Sequence, residues 1–422
     1  MTASAQNLLT LYQSAQGYDA AYQSARQQAL ASVAHGEQAR AGTLPTVNLI
    51  AGASQTSQTS SFAAYDAHDY SSQSASISAS QPLYRPANWA SSAQGQTQID
   101  SAQAQLRAAE QDLIVRVSQA YFDVLAASDN LTFVRAQKTA VAEQLASARR
   151  NFEVGNATVV DTRDAQARFD LVQAQELVAD NDLRVKSLAL EQLVGKAASS
   201  PAALRTPLAL PVTEPAELQP WVDQALRDNA NLQQLQLALD SARLETEKAQ
   251  AGHKPTLDLV ASYSAANNNG TLQSGNAYTI NQASIGLNLN LPLYAGGSIS
   301  ARVRETVALE EKARNDLEAA RRNTAQATRA AFLGLQSGLL QVQAYEAAEQ
   351  SSQSALEANQ LGYQVGVKIN IDVLNAQSQL YSTKASLAKA RYDVLMGRLR
   401  LAQASGALQL SDLERINALL QN

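Results

Sequence analysis

Two segments of this chain, 211 positions apart, carry the same motif. Residues 154–166 read VGNATVVDTRDAQ and residues 365–377 read VGVKINIDVLNAQ, so a Val-Gly pair, an Asp and an Ala-Gln pair superimpose. Gly195 and Gly406 match at the same offset. A period of this length is far above the roughly 20 to 50 residues of solenoid repeats. The chain is therefore predicted to contain two copies of one structural unit, residues 1–211 and 212–422.

The composition excludes several classes of protein. The chain has no cysteine, three histidines and a net charge of −5. Without thiols there can be no disulfide, thiolate metal site or cysteine nucleophile, and the negative charge argues against nucleic acid as a partner. We expect no cofactor and no metal. No apolar run approaches the ~18 residues of a transmembrane helix, so any insertion into a membrane must use strands.

The ten prolines leave two long stretches of the chain free. None lies between Pro86 and Pro201, and none follows Pro292. Because proline breaks a helix interior at a cost of about 3 kcal/mol or more, these stretches can form very long helices. Leucine, valine and alanine recur in the first stretch in steps of three or four, the spacing of a coiled-coil seam. We predict helices over residues 5–40, 88–151, 161–193, 219–251, 300–361 and 372–404.

Four shorter segments are predicted to be strands, namely residues 46–54, 73–83, 256–264 and 283–293. The second and fourth alternate clearly: serine occupies every second position from 74 to 80. One apolar and one polar face match a barrel with lipid outside and water inside. Tyr84, Trp89 and Tyr294 follow the strands, where an interfacial aromatic girdle would lie. The alternative is an ordinary half-buried hairpin packed on a helix.

Four strands per chain are too few for a closed barrel. Open strand edges are not tolerated in lipid, because unpaired backbone groups have no water to bond. Several chains must therefore share one barrel. Three chains would supply twelve strands, an even number wide enough to leave a water channel. Spacing alone leaves dimers and tetramers open.

Five short motifs are specific when they are taken together. They are GHKPTL at 252–257, LPLYAGG at 291–297, GYQVG at 362–366, IDVLNA at 371–376 and ARYD at 390–393. With them the chain resembles the TolC-type outer-membrane efflux proteins (the outer membrane factor family) over essentially its full length. The resemblance implies a mainly α homotrimer with a 12-stranded outer-membrane β-barrel, continued by a long periplasmic α-helical barrel.

The same resemblance implies partners. They are outer-membrane lipid, a periplasmic adaptor (membrane fusion) protein, and an inner-membrane pump or ABC transporter, in drug efflux or type I secretion. In the family the adaptor docks at two helical tips. The matching residues here are Val154, Gly155, Asn156, Val365, Gly366 and Val367. A plain interhelical turn would favour the same glycines, because such turns often need positive φ.

The resemblance also implies a gate beside these tips. In TolC-like ducts, bonds between neighbouring helices hold the closed entrance, and the matching residues are Asp161, Tyr363 and Lys368. Asp161 is expected to accept from the Tyr363 hydroxyl within a chain and from Lys368 across a chain boundary. Asp372 is expected in the pore constriction, where its copies would attract cations. Asn375 replaces a second acid of the family pattern, so one acidic ring is expected. Solvated helix charges are the alternative interpretation.

A structural coiled-coil or filament-forming protein is the second class of function that this composition allows. Cysteine-free chains rich in Ala, Gln and Ser do build filaments. Such a protein would not need two amphipathic hairpins that end in aromatic residues. No catalytic motif such as HExxH or a P-loop occurs, and we expect no enzyme activity.

Overall fold

The computed structural model describes residues 6–59, 68–155, 157–195, 201–205, 214–270 and 276–421. Within these residues the chain is mainly helical, with one antiparallel sheet. The helices are α1 (Leu8–Tyr18), α2 (Ala20–Ala41), α3 (Pro86–Glu153), α4 (Val159–Val194), α5 (Leu218–Asp228), α6 (Ala230–Ala251), α7 (Ser298–Gln364), α8 (Asn370–Ala404) and α9 (Leu410–Asn417). The strands are β1 (Thr46–Gln58), β2 (His68–Tyr84), β3 (Thr256–Asn268) and β4 (Tyr278–Asn290).

The four long helices confirm the argument from proline. α3 has 68 residues and α7 has 67, so each is roughly 100 Å long at ~1.5 Å per residue. α4 and α8 follow them with 36 and 35 residues. All four begin and end within three residues of the predicted boundaries, because no residue in their interiors removes a backbone donor.

The two shorter predicted helices, residues 5–40 and 219–251, are each broken once, so their predicted continuity was wrong. The breaks fall at Asp19 and Asn229, which have extended backbone conformations. Asp19 Oδ1 accepts from the backbone N–H of Tyr22 at 2.7 Å, and Asn229 Oδ1 accepts from that of Leu232 at 3.2 Å. Each side chain therefore caps a new helix, α2 or α6, instead of continuing the preceding one.

The matched glycines Gly195 and Gly406 lie against these two corners. Their φ angles are 70° and 74°, in the region that glycine adopts without steric cost. A Cβ on Gly195 would collide with the ring of Tyr18, and a Cβ on Gly406 would collide with the backbone of Asp228. Both the backbone angle and the close approach therefore require glycine at these positions.

The strands form one sheet in chain order, with every neighbouring pair antiparallel. Leu49 lies opposite Ile77, Ile77 opposite Tyr263, and Tyr263 opposite Ala283, so the apolar faces of all four strands form one surface. This surface is open to solvent in the single chain: Leu49 is 73% and Ile285 78% exposed. A hairpin buried against a helix is therefore excluded for these strands.

The opposite face of the sheet is polar. Hydroxyl pairs connect neighbouring strands there, at 2.7 Å between Ser54 and Ser72 and at 2.8 Å between Ser262 and Ser284. β1 continues to residue 58 and β3 to residue 268, beyond the predicted ends, because backbone pairing does not depend on alternation. β4 ends at residue 290 rather than the predicted 293, next to Pro292, which has no N–H to donate.

The chain divides into two compact units, and each takes segments from both sequence repeats. One unit comprises Met1–Gln27, Ala104–Gln233 and Ala319–Asn422. The other comprises Gln28–Gln103 and Gln234–Glu318 and holds the sheet. The division at residues 211 and 212 therefore describes the repeat in the sequence and stays a prediction.

The first unit contains the largest buried cluster. Tyr121 and Phe122 of α3 lie in it with Leu395 and Leu399 of α8 and Leu413 of α9. Sequence analysis did not predict α9, whose eight residues place only two side chains in this core. Among the described residues, no helix combines the length and the apolar character needed to span a lipid bilayer.

Candidate functional site

The two predicted tips are turns of the same geometry. Gly155 and Gly366 both have φ of 79°. A Cβ on either glycine would meet no atom within 4 Å, so the requirement for glycine comes from the backbone angle alone. Asn156, the third predicted residue of the first tip, lies outside the described residues.

Apolar side chains stand exposed around both turns. Val154, Val365 and Val367 are between 66% and 78% exposed. We call these valines, with their exposed apolar neighbours, the tip patch; the neighbours are Phe152, Val159, Val160, Leu361 and Ile369. Single exposed apolar residues are ordinary on a protein surface, whereas eight of them lie within five residues of Gly155 or Gly366. Such a grouping makes the tips a candidate binding surface.

Asp161, predicted as a gate residue, caps its own helix in the structure. Its Oδ2 accepts from the backbone N–H of Thr158 at 2.9 Å and from the Thr158 hydroxyl at 2.7 Å. The Thr158 hydroxyl oxygen in turn accepts from the backbone N–H of Asp161 at 3.2 Å. This reciprocal arrangement is a capping box and satisfies donors at the start of α4 that would otherwise be unpaired.

Tyr363 has a different partner from the expected one. Its hydroxyl oxygen accepts from Asn151 Nδ2 at 3.3 Å. The expected donation from Tyr363 to Asp161 is not the arrangement in this chain, because the Asp161 carboxylate is engaged by Thr158. Tyr363 still connects the two repeats, since Asn151 lies on α3 and Tyr363 on α7.

Lys368 folds back over its own turn. The Lys368 side chain packs so closely on Gly362 that a Cβ there would lie 2.7 Å from Lys368 Cγ. The Lys368 backbone N–H donates to the Gly362 carbonyl at 3.0 Å. The ammonium lies 3.7 Å from the Asp372 carboxylate. The side chains of Lys368 and Asp372 are 49% and 35% exposed, so this ion pair contributes only about 0.2–1 kcal/mol. Lys368 therefore remains available for a competing acceptor.

Asp372 occupies in α8 the position of Asp161 in α4. Its Oδ2 accepts from the backbone N–H of Ile369 at 3.4 Å. Isoleucine has no side-chain acceptor to return the bond, so only half of the capping arrangement of α4 is present. The start of α8 is therefore less firmly capped than the start of α4.

Sequence analysis missed two polar links between the repeats in this region. Asn370 lies at the start of α8, is 1% exposed, and bonds to Gln144 and to the Asp161 backbone. Arg168 Nη2 donates to Asn375 Oδ1 at 2.7 Å. Nothing in the local sequence around Asn370, Gln144, Arg168 or Asn375 indicates that these side chains pair across the repeats. The Thr158-Val-Val-Asp161 spacing, by contrast, does indicate a capping box.

A buried ionisable pair lies further along the same helices. The Tyr392 hydroxyl donates to Asp129 Oδ2 at 2.7 Å, and the Tyr392 ring stacks on Phe122 with centroids 5.6 Å apart. Burial raises the pKa of Asp129, although the bond from Tyr392 opposes the rise. Burial and the neighbouring carboxylate raise the pKa of Tyr392 as well. Tyr392 belongs to the ARYD motif, and the structure assigns it to core packing.

The predicted interfacial aromatics lie at the ends of the sheet's strands. The rings of Tyr84 and Trp89 meet edge to face with centroids 5.3 Å apart. Tyr294 is 89% exposed. Nearby, Arg85 makes a bidentate bond to Asp258 of β3, at 2.7 Å from Nε and 2.5 Å from Nη2. Within the described residues, no group of His, Asp and Glu is arranged to hold a metal ion.

Comparisons with known proteins decide the family. The family model named Outer membrane efflux protein matches residues 11–196 and 221–407, one segment in each repeat. The chain belongs to the outer membrane efflux protein family. Outer membrane protein TolC of Vibrio cholerae is 36% identical over 419 residues, which cover 98% of this chain and 94% of the relative.

One further relative and one solved structure are similar to this chain. Alkaline protease secretion protein AprF of Pseudomonas aeruginosa is 35% identical over 356 residues, covering 83% of this chain and 73% of the relative. The solved structure of the outer membrane protein VceC from Vibrio cholerae superimposes with a TM-score of 0.80 at 19% identity, covering 94% of this chain and 96% of that one. The second similarity concerns the fold alone.

Membership of this family settles the location and the broad function. This chain is located in the outer membrane and extends into the periplasm. It acts as an outer-membrane exit duct. The family is one of efflux channels and not of enzymes. The alternative of a structural filament has no support among the relatives.

Proposed function

We propose that three copies of this chain form the exit duct of a tripartite efflux or type I secretion system, gated at its periplasmic tip. The single observation that carries the proposal is the sheet. It has one continuous apolar face and one polar face, and in the described part of the chain β1 and β4 each pair on one side only. Such a sheet is stable in lipid only when its edges are closed.

Pairing with other copies of the same chain supplies hydrogen-bond partners for the backbone groups at both edges of the sheet. β4 of one subunit pairs with β1 of the next, and a symmetric ring leaves no edge free. Three subunits give a barrel wide enough for a channel, and the serine pairs of the polar face then line water. The exposed side chains of Leu49 and Ile285 face lipid, and the Tyr84–Trp89 pair lies at the interface.

The tip patch is the surface where a periplasmic adaptor would dock. Its valines lie beside both glycine turns and are exposed in the chain, as a surface that buries apolar side chains on binding requires. An inner-membrane pump or ABC transporter completes the system. One matched relative is named as an alkaline protease secretion protein and another as an outer membrane efflux protein. The proposal covers both kinds of system, with the cargo selected by the pump.

The gate consists of weak polar links near the tips. Lys368 exchanges its exposed pair with Asp372 for Asp161 of a neighbouring subunit, and Tyr363 holds α7 to α3 through Asn151. Each exposed ionic link contributes only about 0.2–1 kcal/mol, so a docking partner can release them. Asp372 forms one acidic ring in the bore, and Asn375 adds no second ring. No catalytic role is proposed.

Conductance through planar bilayers tests this function. Asp372→Ala should weaken the block of the channel by multivalent cations, because the ring of carboxylates is lost. Asp393→Ala is the matched control: this acid is on the same helix and pairs with Lys389 at 2.7 Å. If Asp372→Ala left the cation block unchanged, the proposed acidic ring would be refuted. If the wild-type protein formed no pores, the proposed duct would be refuted.

A second measurement tests the gate residues. Tyr363→Phe combined with Lys368→Ser should raise the conductance, because the Asn151 bond and the ionic link are lost together. If the double variant conducted no better than the wild type, the proposed role of Tyr363 and Lys368 in the gate would be refuted.

A further inference from the structure

Asn370 is a buried amide at the point where the second tip meets the first repeat. It is the first residue of α8 and is 1% exposed. Its Nδ2 donates to the backbone carbonyl of Asp161 on α4 at 3.2 Å. Its Oδ1 accepts a short bond from Gln144 Nε2 on α3. One side chain thus joins α8 to α3 and α4, the two long helices of the first repeat.

The other repeat has no equivalent of this contact. The position 211 residues earlier is Val159, which also begins its helix but is 51% exposed. The two tips therefore differ although their turns share one geometry. The second tip is tied to the first repeat through Asn370, while the first tip presents an apolar side chain to solvent.

The chemistry of this contact differs from that of the surrounding gate. Both partners of Asn370 are neutral, and its side chain is enclosed. Salt screens the exposed Lys368–Asp372 pair but has little effect on a buried, uncharged hydrogen bond. An enclosed amide that loses its partners is costly, so any movement of α8 away from α3 and α4 must break both bonds of Asn370 together.

We propose that Asn370 is the positioning residue that holds the start of α8 in the closed gate, as a latch that salt does not weaken. The inference rests on the proposed function of the chain as a gated duct. Two neighbouring links also join the repeats, Asn151–Tyr363 between α3 and α7 and Arg168–Asn375 between α4 and α8. They are more exposed than Asn370, so they set the closed position less firmly.

Single-channel recording of the assembled protein tests the latch. Asn370→Leu removes both bonds and should shift the closed-to-open ratio toward open by roughly ten- to a hundredfold, since each of the two hydrogen bonds contributes about a factor of three to ten. Gln144→Leu removes one of the bonds and should give a smaller shift in the same direction. The double variant should open no more than Asn370→Leu alone, because the two residues share one bond.

Salt separates the latch from the ionic gate. The effect of Asn370→Leu should persist at about 1 M salt, where the Debye length is roughly 3 Å, whereas the effect of Lys368→Ser should be lost. Asn359→Leu is the matched control, because the Asn359 amide bonds to Ala355 of its own helix at 2.8 Å. It should leave the closed-to-open ratio unchanged.

The outcomes distinguish the latch from the duct. A wild-type protein without pores overturns the proposed function and the latch with it. Pores in the wild type together with an unchanged ratio in Asn370→Leu overturn the latch alone. If Asn370→Leu fails to assemble, Gln144→Leu decides, because it leaves α8 unaltered and its own side chain is only half-buried. An unchanged ratio in that variant overturns the latch.

Discussion

The corner between α1 and α2 depends on one nearly buried carboxylate. Asp19 is 7% exposed and accepts from Arg116 Nη1 at 2.9 Å and Nη2 at 3.0 Å. It also accepts from the backbone N–H of Tyr22. Replacing Arg116 by leucine would leave this carboxylate with its helix cap but without its cation.

The expected cost follows from burial. Removing one partner of a fully buried ion pair costs about 3–5 kcal/mol, but the Arg116 side chain is 32% exposed. We therefore expect Arg116→Leu to lower the free energy of unfolding by about 2–3 kcal/mol. Asp19→Asn, which reproduces the neutral cap of Asn229, should cost only ~1 kcal/mol, since Asn caps helices as well as Asp. The double variant should be more stable than Arg116→Leu alone.

The effect of Arg116 should also depend on pH. The bonds from Arg116, which outweigh the opposing effect of burial, lower the pKa of Asp19. A carboxyl with a lowered folded pKa stabilises the protein above its unfolded pKa of ~3.9, and this contribution is lost as the pH falls through the folded pKa. The difference between wild type and Arg116→Leu should therefore be complete at neutral pH and shrink in acid.

Chemical denaturation followed by circular dichroism, on protein in detergent, measures these differences. It should be done at about pH 7 and again at successively lower pH, because the Asp19 contribution is lost as the pH falls. An Arg116→Leu variant as stable as the wild type at neutral pH would refute the reasoning. The double variant Asp19→Asn, Arg116→Leu has no unpaired carboxylate at this corner. If it were less stable than Arg116→Leu alone, an unpaired charge could not explain the stability lost in Arg116→Leu, and the reasoning would again be refuted.

Three further predictions concern packing, capping and the buried pair. Tyr392→Phe should destabilise by about 1–3 kcal/mol at neutral pH, because the Asp129 carboxylate loses a hydrogen-bond donor. Losing this bond raises the pKa of Asp129 further, so the part of the loss that depends on the ionised carboxylate should disappear below pH ~3.9 in the same denaturation assay. A loss of equal size in acid would contradict this prediction. Gly95→Ala should cost about 1–3 kcal/mol, since its Cβ would lie 2.8 Å from that of Ala39, whereas Gly334→Ala, with no neighbour within 4 Å, should be neutral or stabilising in thermal melts. Thr158→Val should cost ~1 kcal/mol by loss of the α4 cap, measured by hydrogen exchange of the first turn, where unchanged protection would count against it.

Much of the fold was predictable because it depends on local rules. Proline positions and apolar spacing predicted the long helices to within three residues, and alternation predicted the orientation of the sheet's faces. The breaks at Asp19 and Asn229 were not predicted, since neither residue is a proline or a glycine. Each has the chemistry of a helix cap, but the same residues also occur within helices, and the choice depends on tertiary packing against Arg116 or Ala404.

The candidate site was less predictable than the fold. The turns at Gly155 and Gly366 follow from the repeat, because two matched glycines at helix ends imply one geometry. The partner of Tyr363 does not, because its bond with Asn151 joins residues 212 positions apart and is decided by helix register. Asn370 shows the limit most clearly: in the sequence it is a polar residue after a turn, and only its burial between α3 and α4 gives it a role.

Native mass spectrometry of the protein in detergent tests the central claim most directly, because it counts the chains that share one barrel. A sheet with one lipid-facing surface and two open edges must be completed by other copies of itself. The account predicts a complex of three chains that survives transfer from detergent into lipid vesicles. A single chain that remains folded, with its sheet intact and no copies bound, would contradict it.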